Sequence, residues 1–148
     1  MKAFAILSSF IILTLSLLFI VPKSYWNDEG WYSIAIKGVM DEGPKTCMLF
    51  AGRCSYLKMP LMFNLYGLVG KALGLEILEL RVLSLLLGVV DAFLFYLIAK
   101  EMVPGKESIA FLLLILNPIF IAFMPTLLNE ALTLFGYLSA MYFMLKDN

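Results

Sequence analysis

Apolar residues gather along this chain into long runs separated by a more polar middle. Residues 3–21 carry no charge and follow a single Lys2, and such a run suits the roughly 20 apolar residues a helix needs to cross a hydrocarbon core. It is longer than the apolar part of an ordinary signal peptide, and no small-x-small cleavage site follows it, so the pattern predicts a retained first span. Residues 82–99 are interrupted only by Asp91 and bracketed by Arg81 and Lys100, which predicts a second span. After a short polar turn holding Pro104 and Gly105, residues 108–129 and 131–145 lack charge, with Pro118 and Pro125 inside the first stretch. These predict a helical hairpin, with spans at 108–124 and 128–145 that turn near Pro125.

The intervening residues 22–80 have a different texture, carrying Asp28, Glu29, Lys37, Asp41, Glu42, Lys45, Arg53 and Lys58 behind an aromatic start of Tyr25, Trp26, Trp31 and Tyr32. Between Asp28 and Met40 the apolar residues Trp31, Ala35 and Val39 recur at helical spacing, and Trp and Tyr favour the headgroup level, so an interfacial helix is expected there. Asp28 and Glu29 stand at its N-terminus, where a plain capping role is one reading of them. Residues 59–75 are short for a span and are broken by Pro60, Asn64, Lys71 and three glycines. If this stretch crosses there are five spans; if it lies along the surface there are four, and Glu130 returns to the face that carries Asp28. Positive-inside counting pits Lys2, Lys100, Lys106 and Lys146 on the proposed inner side against seven basic residues from Lys23 to Arg81. Charge bias weakens over a loop this long, while the inner lysines crowd into very short segments. The expected architecture is an all-α polytopic transmembrane protein. About four spans and a long first extracytoplasmic loop with juxtamembrane helices form a single membrane module of residues 1–148.

Composition agrees with that reading. Sixty-two per cent of the residues are apolar, 15% are charged, and the mean hydropathy is +0.93, against about 45–50% and about 25% in soluble domains. Eleven basic residues balance 11 acidic ones, which leaves no electrostatic footprint for nucleic acid. The absence of histidine excludes a His-ligated zinc and a Ser-His-Asp triad, so Asp, Glu, Lys, Tyr and Arg remain for chemistry. Cys47 and Cys54 are too few for a structural zinc site; a disulfide between them requires an oxidising compartment, and the sequence leaves that pairing open. Paired carboxylates can bind a divalent cation, but nothing in the pattern requires a metal or another cofactor.

Asp28-Glu29-Gly30-Trp31-Tyr32 resembles the Asp-Glu-x-x-Tyr element of type-C membrane glycosyltransferases that use polyprenyl-phosphate sugars. Lys58-Met59-Pro60-Leu61 is similar to the family's Lys-Pro-Pro-Leu, with Met59 in place of the first proline. Residues 74–88 resemble its Phe-Gly, Arg-Leu-Pro-Ser and Leu-x-Gly passage, and residues 117–135 its Pro-x-Phe followed by Leu-Leu-Asp-x-x-Leu, with Glu130 for the usual aspartate. The most similar groups are the dolichyl-phosphate-mannose protein mannosyltransferase-like and the aminoarabinose transferase-like enzymes. The resemblance implies an extracytoplasmic first loop, which favours four spans, and a multi-pass place in the cell or endoplasmic reticulum membrane. It also implies a polyprenyl-phosphate sugar donor, inversion at the anomeric carbon, Asp28 as catalytic base and Glu29 positioning acceptor or sugar. Lys58 would hold the lipid phosphate, Arg81 would assist it unless it pairs with Glu79 or Glu76, and Tyr32 and Glu130 would contribute to substrate binding. Family members have many more spans than this chain, which looks like their N-terminal third and would need further spans, a partner chain or a homo-oligomer to complete the donor cavity. The competing expectation is a small multispan transporter subunit or an inactive assembly protein. For a transporter, an ionisable group at membrane depth such as Asp91 is the residue of interest.

Overall fold

The computed structural model describes residues 28–44, 47–50, 53–56, 59–127 and 129–147. The expected first span at 3–21 and Lys58 lie outside them. Among the described residues six helices dominate: α1 (Glu29–Glu42), α2 (Pro60–Leu73), α3 (Arg81–Met102), α4 (Glu107–Ile115), α5 (Pro118–Phe123) and α6 (Glu130–Lys146). The helical class therefore holds. Between α1 and α2 the chain adds a small antiparallel hairpin of β1 (Cys47–Phe50) and β2 (Arg53–Tyr56), in register Cys47 to Tyr56 and Phe50 to Arg53, which the apolar pattern had not announced. Cys47 is disulfide-bonded, and the chain contains one other cysteine, Cys54.

Packing divides the chain into two compact units. Of the described residues, one holds those between 28 and 83 together with 127 and 129, the other 84–126 and 130–147.

In the first unit α1 lies along α2. Ala35, Ile36 and Val39 of α1 and Met62, Phe63 and Tyr66 of α2 are buried, and each large apolar side chain so covered contributes about 1.5–3 kcal/mol. The helices can approach because Gly67 has no side chain: a Cβ there would come within 2.5 Å of Val39 and 3.0 Å of the Ile36 carbonyl oxygen. Tyr32 packs its ring on Phe63, with centroids 5.4 Å apart. Pro60 opens α2, where a missing N–H costs nothing, and Gly74 closes it in the left-handed region at φ 66°, as helix ends favour.

In the second unit Leu85, Ala92, Phe111, Ile115, Phe120 and Met124 form the core, with Met124 seated directly over Gly88. Helix α3 has 22 residues, about 33 Å at the rise of an α-helix, and is long and apolar enough to cross a membrane. The span expected at 108–124 is instead two short helices. Pro118 supplies no N–H and pushes Asn117 to extended backbone (φ −69°, ψ 118°), where the Asn117 carboxamide oxygen accepts from the Ile119 N–H at 2.9 Å and starts α5 afresh. The last expected span appears as α6, 17 residues long, and the stretch at 59–75 as α2, 14 residues long.

Candidate functional site

The candidate site is built around the first turn of α1. The Asp28 carbonyl accepts the N–H groups of Trp31 and Tyr32 at 2.9 and 3.1 Å, so its backbone begins the helix. Its side chain makes no capping hydrogen bond and the residue is exposed, so the capping reading fails for the carboxylate while Asp28 does occupy the cap position. One residue further on, the situation reverses. Glu29 is fully buried, and its carboxylate receives Arg81 in a two-pronged grip, Nε to Oε1 at 2.8 Å and Nη2 to Oε2 at 2.6 Å. Oε1 also accepts the backbone N–H of Leu127 at 2.9 Å.

Three segments far apart in sequence thus meet at one carboxylate: the start of α1, the first residue of α3 and the turn that precedes α6. The Arg81 side chain is 7% exposed and Glu29 is 0% exposed, so both charges are out of water. Parallel N–H···O bonds between guanidinium and carboxylate are among the stronger polar contacts a protein makes. A cation at the first residue of a helix is disfavoured by the helix dipole; Glu29 offsets this at Arg81 while itself occupying the favourable first turn of α1.

The structure therefore replaces the expected partner of Arg81. Glu79 does not take it; its carboxylate accepts the Glu76 N–H at 2.8 Å and closes the turn before α3. No helical spacing connects positions 29, 81 and 127, which is why this node could not be read from the pattern. Of the other residues singled out, Tyr32 is half-buried against Phe63, and Glu130 is exposed at the start of α6. Among the described residues no group of three or more acidic or cysteine side chains is placed to hold a metal ion.

A second polar feature lies within α3. Asp91, at the middle of the helix, is fully buried, and among the described residues neither carboxylate oxygen has a hydrogen-bond partner. Ser84 and Gly88, buried as well, share its face at helical spacing. On the opposite side Val82, Leu86, Val90 and Phe93 are all more than 40% exposed. Polar side chains turned inward and a continuous apolar stripe turned outward are the inverse of what water selects.

This is a helical protein with one described helix fit to cross a membrane. No family model and no solved structure matches the chain. An uncharacterized protein of Aquifex aeolicus (strain VF5) is 31% identical over 97 residues; the match covers 64% of this chain and 19% of that protein. The chain thus spans about a fifth of its relative's length.

Proposed function

We propose that the chain is a multi-pass, membrane glycosyltransferase-like protein that moves a sugar from a polyprenyl-phosphate donor to an acceptor on the extracytoplasmic side, with inversion. The observation that carries this reading is the contrast within one dipeptide: Asp28 presents its carboxylate to solvent while Glu29 beside it is buried on Arg81. In the reaction Asp28 takes the proton of an acceptor hydroxyl or amine as that atom attacks the anomeric carbon. The bond from that carbon to the phosphate oxygen breaks, and its electron pair leaves with the lipid phosphate, whose charge Lys58 neutralises. Support for the membrane setting comes from α3, whose outward stripe suits lipid, and from the bonded Cys47, which suits an oxidising compartment beyond the membrane.

The test is release of polyprenyl phosphate from polyprenyl-phosphate mannose and polyprenyl-phosphate aminoarabinose by membranes containing the protein. Asp28→Asn should lower release by about 100-fold or more, the usual contribution of a general base, with the protein still inserted. Unchanged release in that variant sinks the assignment.

Asp91 favours a second reading, a small multispan transporter subunit, because a buried acidic group without a described partner in a candidate span is a common mark of a translocation path. In that case Asp91→Asn, and not Asp28→Asn, abolishes function.

A further inference from the structure

We infer that Glu29 and Arg81 are positioning residues that serve Asp28, and that neither touches donor or acceptor. This rests on the reading of Asp28 as the base and changes what its neighbours do. A substrate-binding Glu29 would need a free lone pair and an open approach. It is 0% exposed, with Oε1 taken by two N–H donors and Oε2 by a third, and Arg81, which would have to release it, is 7% exposed. An Arg81 that held the lipid phosphate would have to abandon Glu29 and leave a carboxylate buried without its counter-charge, which is strongly unfavourable.

What the pair does instead follows from where it is attached. Glu29 is covalently next to Asp28, and its side chain is held by the first residue of α3 and by the turn at Leu127. Trp31 and Tyr32 fix the Asp28 carbonyl from the other side, through the first turn of α1. The backbone that carries the base is therefore held at its carbonyl by the first turn of α1 and through Glu29 by α3 and the Leu127 turn, while its carboxylate stays clear of the capping bond that would occupy it. A proton acceptor gains from such restraint because an error of about 1 Å in its placement can cost about 100-fold in rate.

The experiment uses the full chain in membranes, with polyprenyl-phosphate mannose and polyprenyl-phosphate aminoarabinose as probes, and compares wild type, Asp28→Asn, Glu29→Asp and Arg81→Lys. Turnover is normalised to protein that elutes as a folded species in detergent. Glu29→Asp and Arg81→Lys keep both charges but spoil the fork, and each should lower kcat about 10- to 100-fold with donor KM unchanged. Amide hydrogen exchange of Trp31, Tyr32 and Leu127 should accelerate in both variants, while that of α2 does not.

Unchanged kcat per folded molecule, or unchanged protection at those three amides, overturns the inference, since the pair would then be merely structural. A raised donor KM with kcat intact overturns it as well, by placing the pair on the substrate. Absence of wild-type turnover with both probes, or wild-type turnover in Asp28→Asn, removes the parent reading and the positioning role with it. A dead Asp28→Asn beside a fully active Glu29→Asp removes the positioning role alone.

Discussion

Helix α3 buries an ionisable side chain at its first residue and another at its middle, and treats them in opposite ways. Arg81 is met by Glu29 from 52 residues upstream, with two short hydrogen bonds and a shared third contact to Leu127. Asp91 is just as deeply covered, yet among the described residues nothing donates to either of its oxygens. A paired buried charge holds distant parts of a chain together. A buried carboxyl group without a described partner does nothing of the kind, and its retention points to a use that stability does not explain.

Substitutions at the start and the middle of α3, and at two contacts that serve as a scale for them, test the difference. The largest effect belongs to the paired end: Glu29→Leu or Arg81→Met alone should destabilise the protein by about 3–5 kcal/mol, because each strands the other's charge. The double variant should recover most of that loss, and equal loss in the single and double variants, read from unfolding in detergent, would show that the two charges are not coupled. Next comes Gly67→Ala, whose new methyl group meets Val39 and the Ile36 carbonyl and should cost about 1–3 kcal/mol by the same measurement. Asp91→Leu should go the other way, raising the unfolding temperature through a gain of about 1–3 kcal/mol as a desolvated polar group is removed. A fall in stability would instead reveal a partner for Asp91 beyond the described residues.

The smallest effect belongs to the exposed pair of Lys146 and Glu101, 2.7 Å apart with both side chains about half exposed. The hydrogen bond to Glu101 raises the Lys146 ammonium above its ordinary value. Its contribution is complete below the ordinary lysine range and fades as pH climbs through the raised value, but water screens it. Lys146→Ala should leave the unfolding temperature unchanged at low and at high salt.

Local periodicity made part of this fold legible. Ala35 and Val39 are buried as their spacing predicts, and α1 runs Glu29–Glu42 where a helix was expected from Asp28 to Met40. Trp31, the third member of that row, is 62% exposed. The stretch between Arg81 and Lys100 became α3 with little change at either end. The break at Asn117-Pro118 was present as a cap-and-proline signal, yet the absence of charge across it favoured one unbroken span. The hairpin leaves little trace in the sequence, because charges and not an alternation of apolar and polar residues mark positions 22–80. At the site, Asp28 and Glu29 stood out as a dipeptide, but their division into one exposed and one buried carboxylate depends on Arg81 and Leu127, which only the folded chain brings near.

The close approach of α1 and α2 has a consequence for collecting relatives. Position 67 tolerates little besides glycine, since any larger residue drives the two helices apart, and Glu29 and Arg81 are compatible only as a pair. Together they form a sparse fingerprint, an acidic residue, a glycine 38 positions later and an arginine 14 beyond that, which depends on geometry and not on overall apolar character. Greasy segments resemble one another whatever their ancestry. A search weighted on these three positions separates descent from shared hydrophobicity, even where identity along the rest of the chain has decayed.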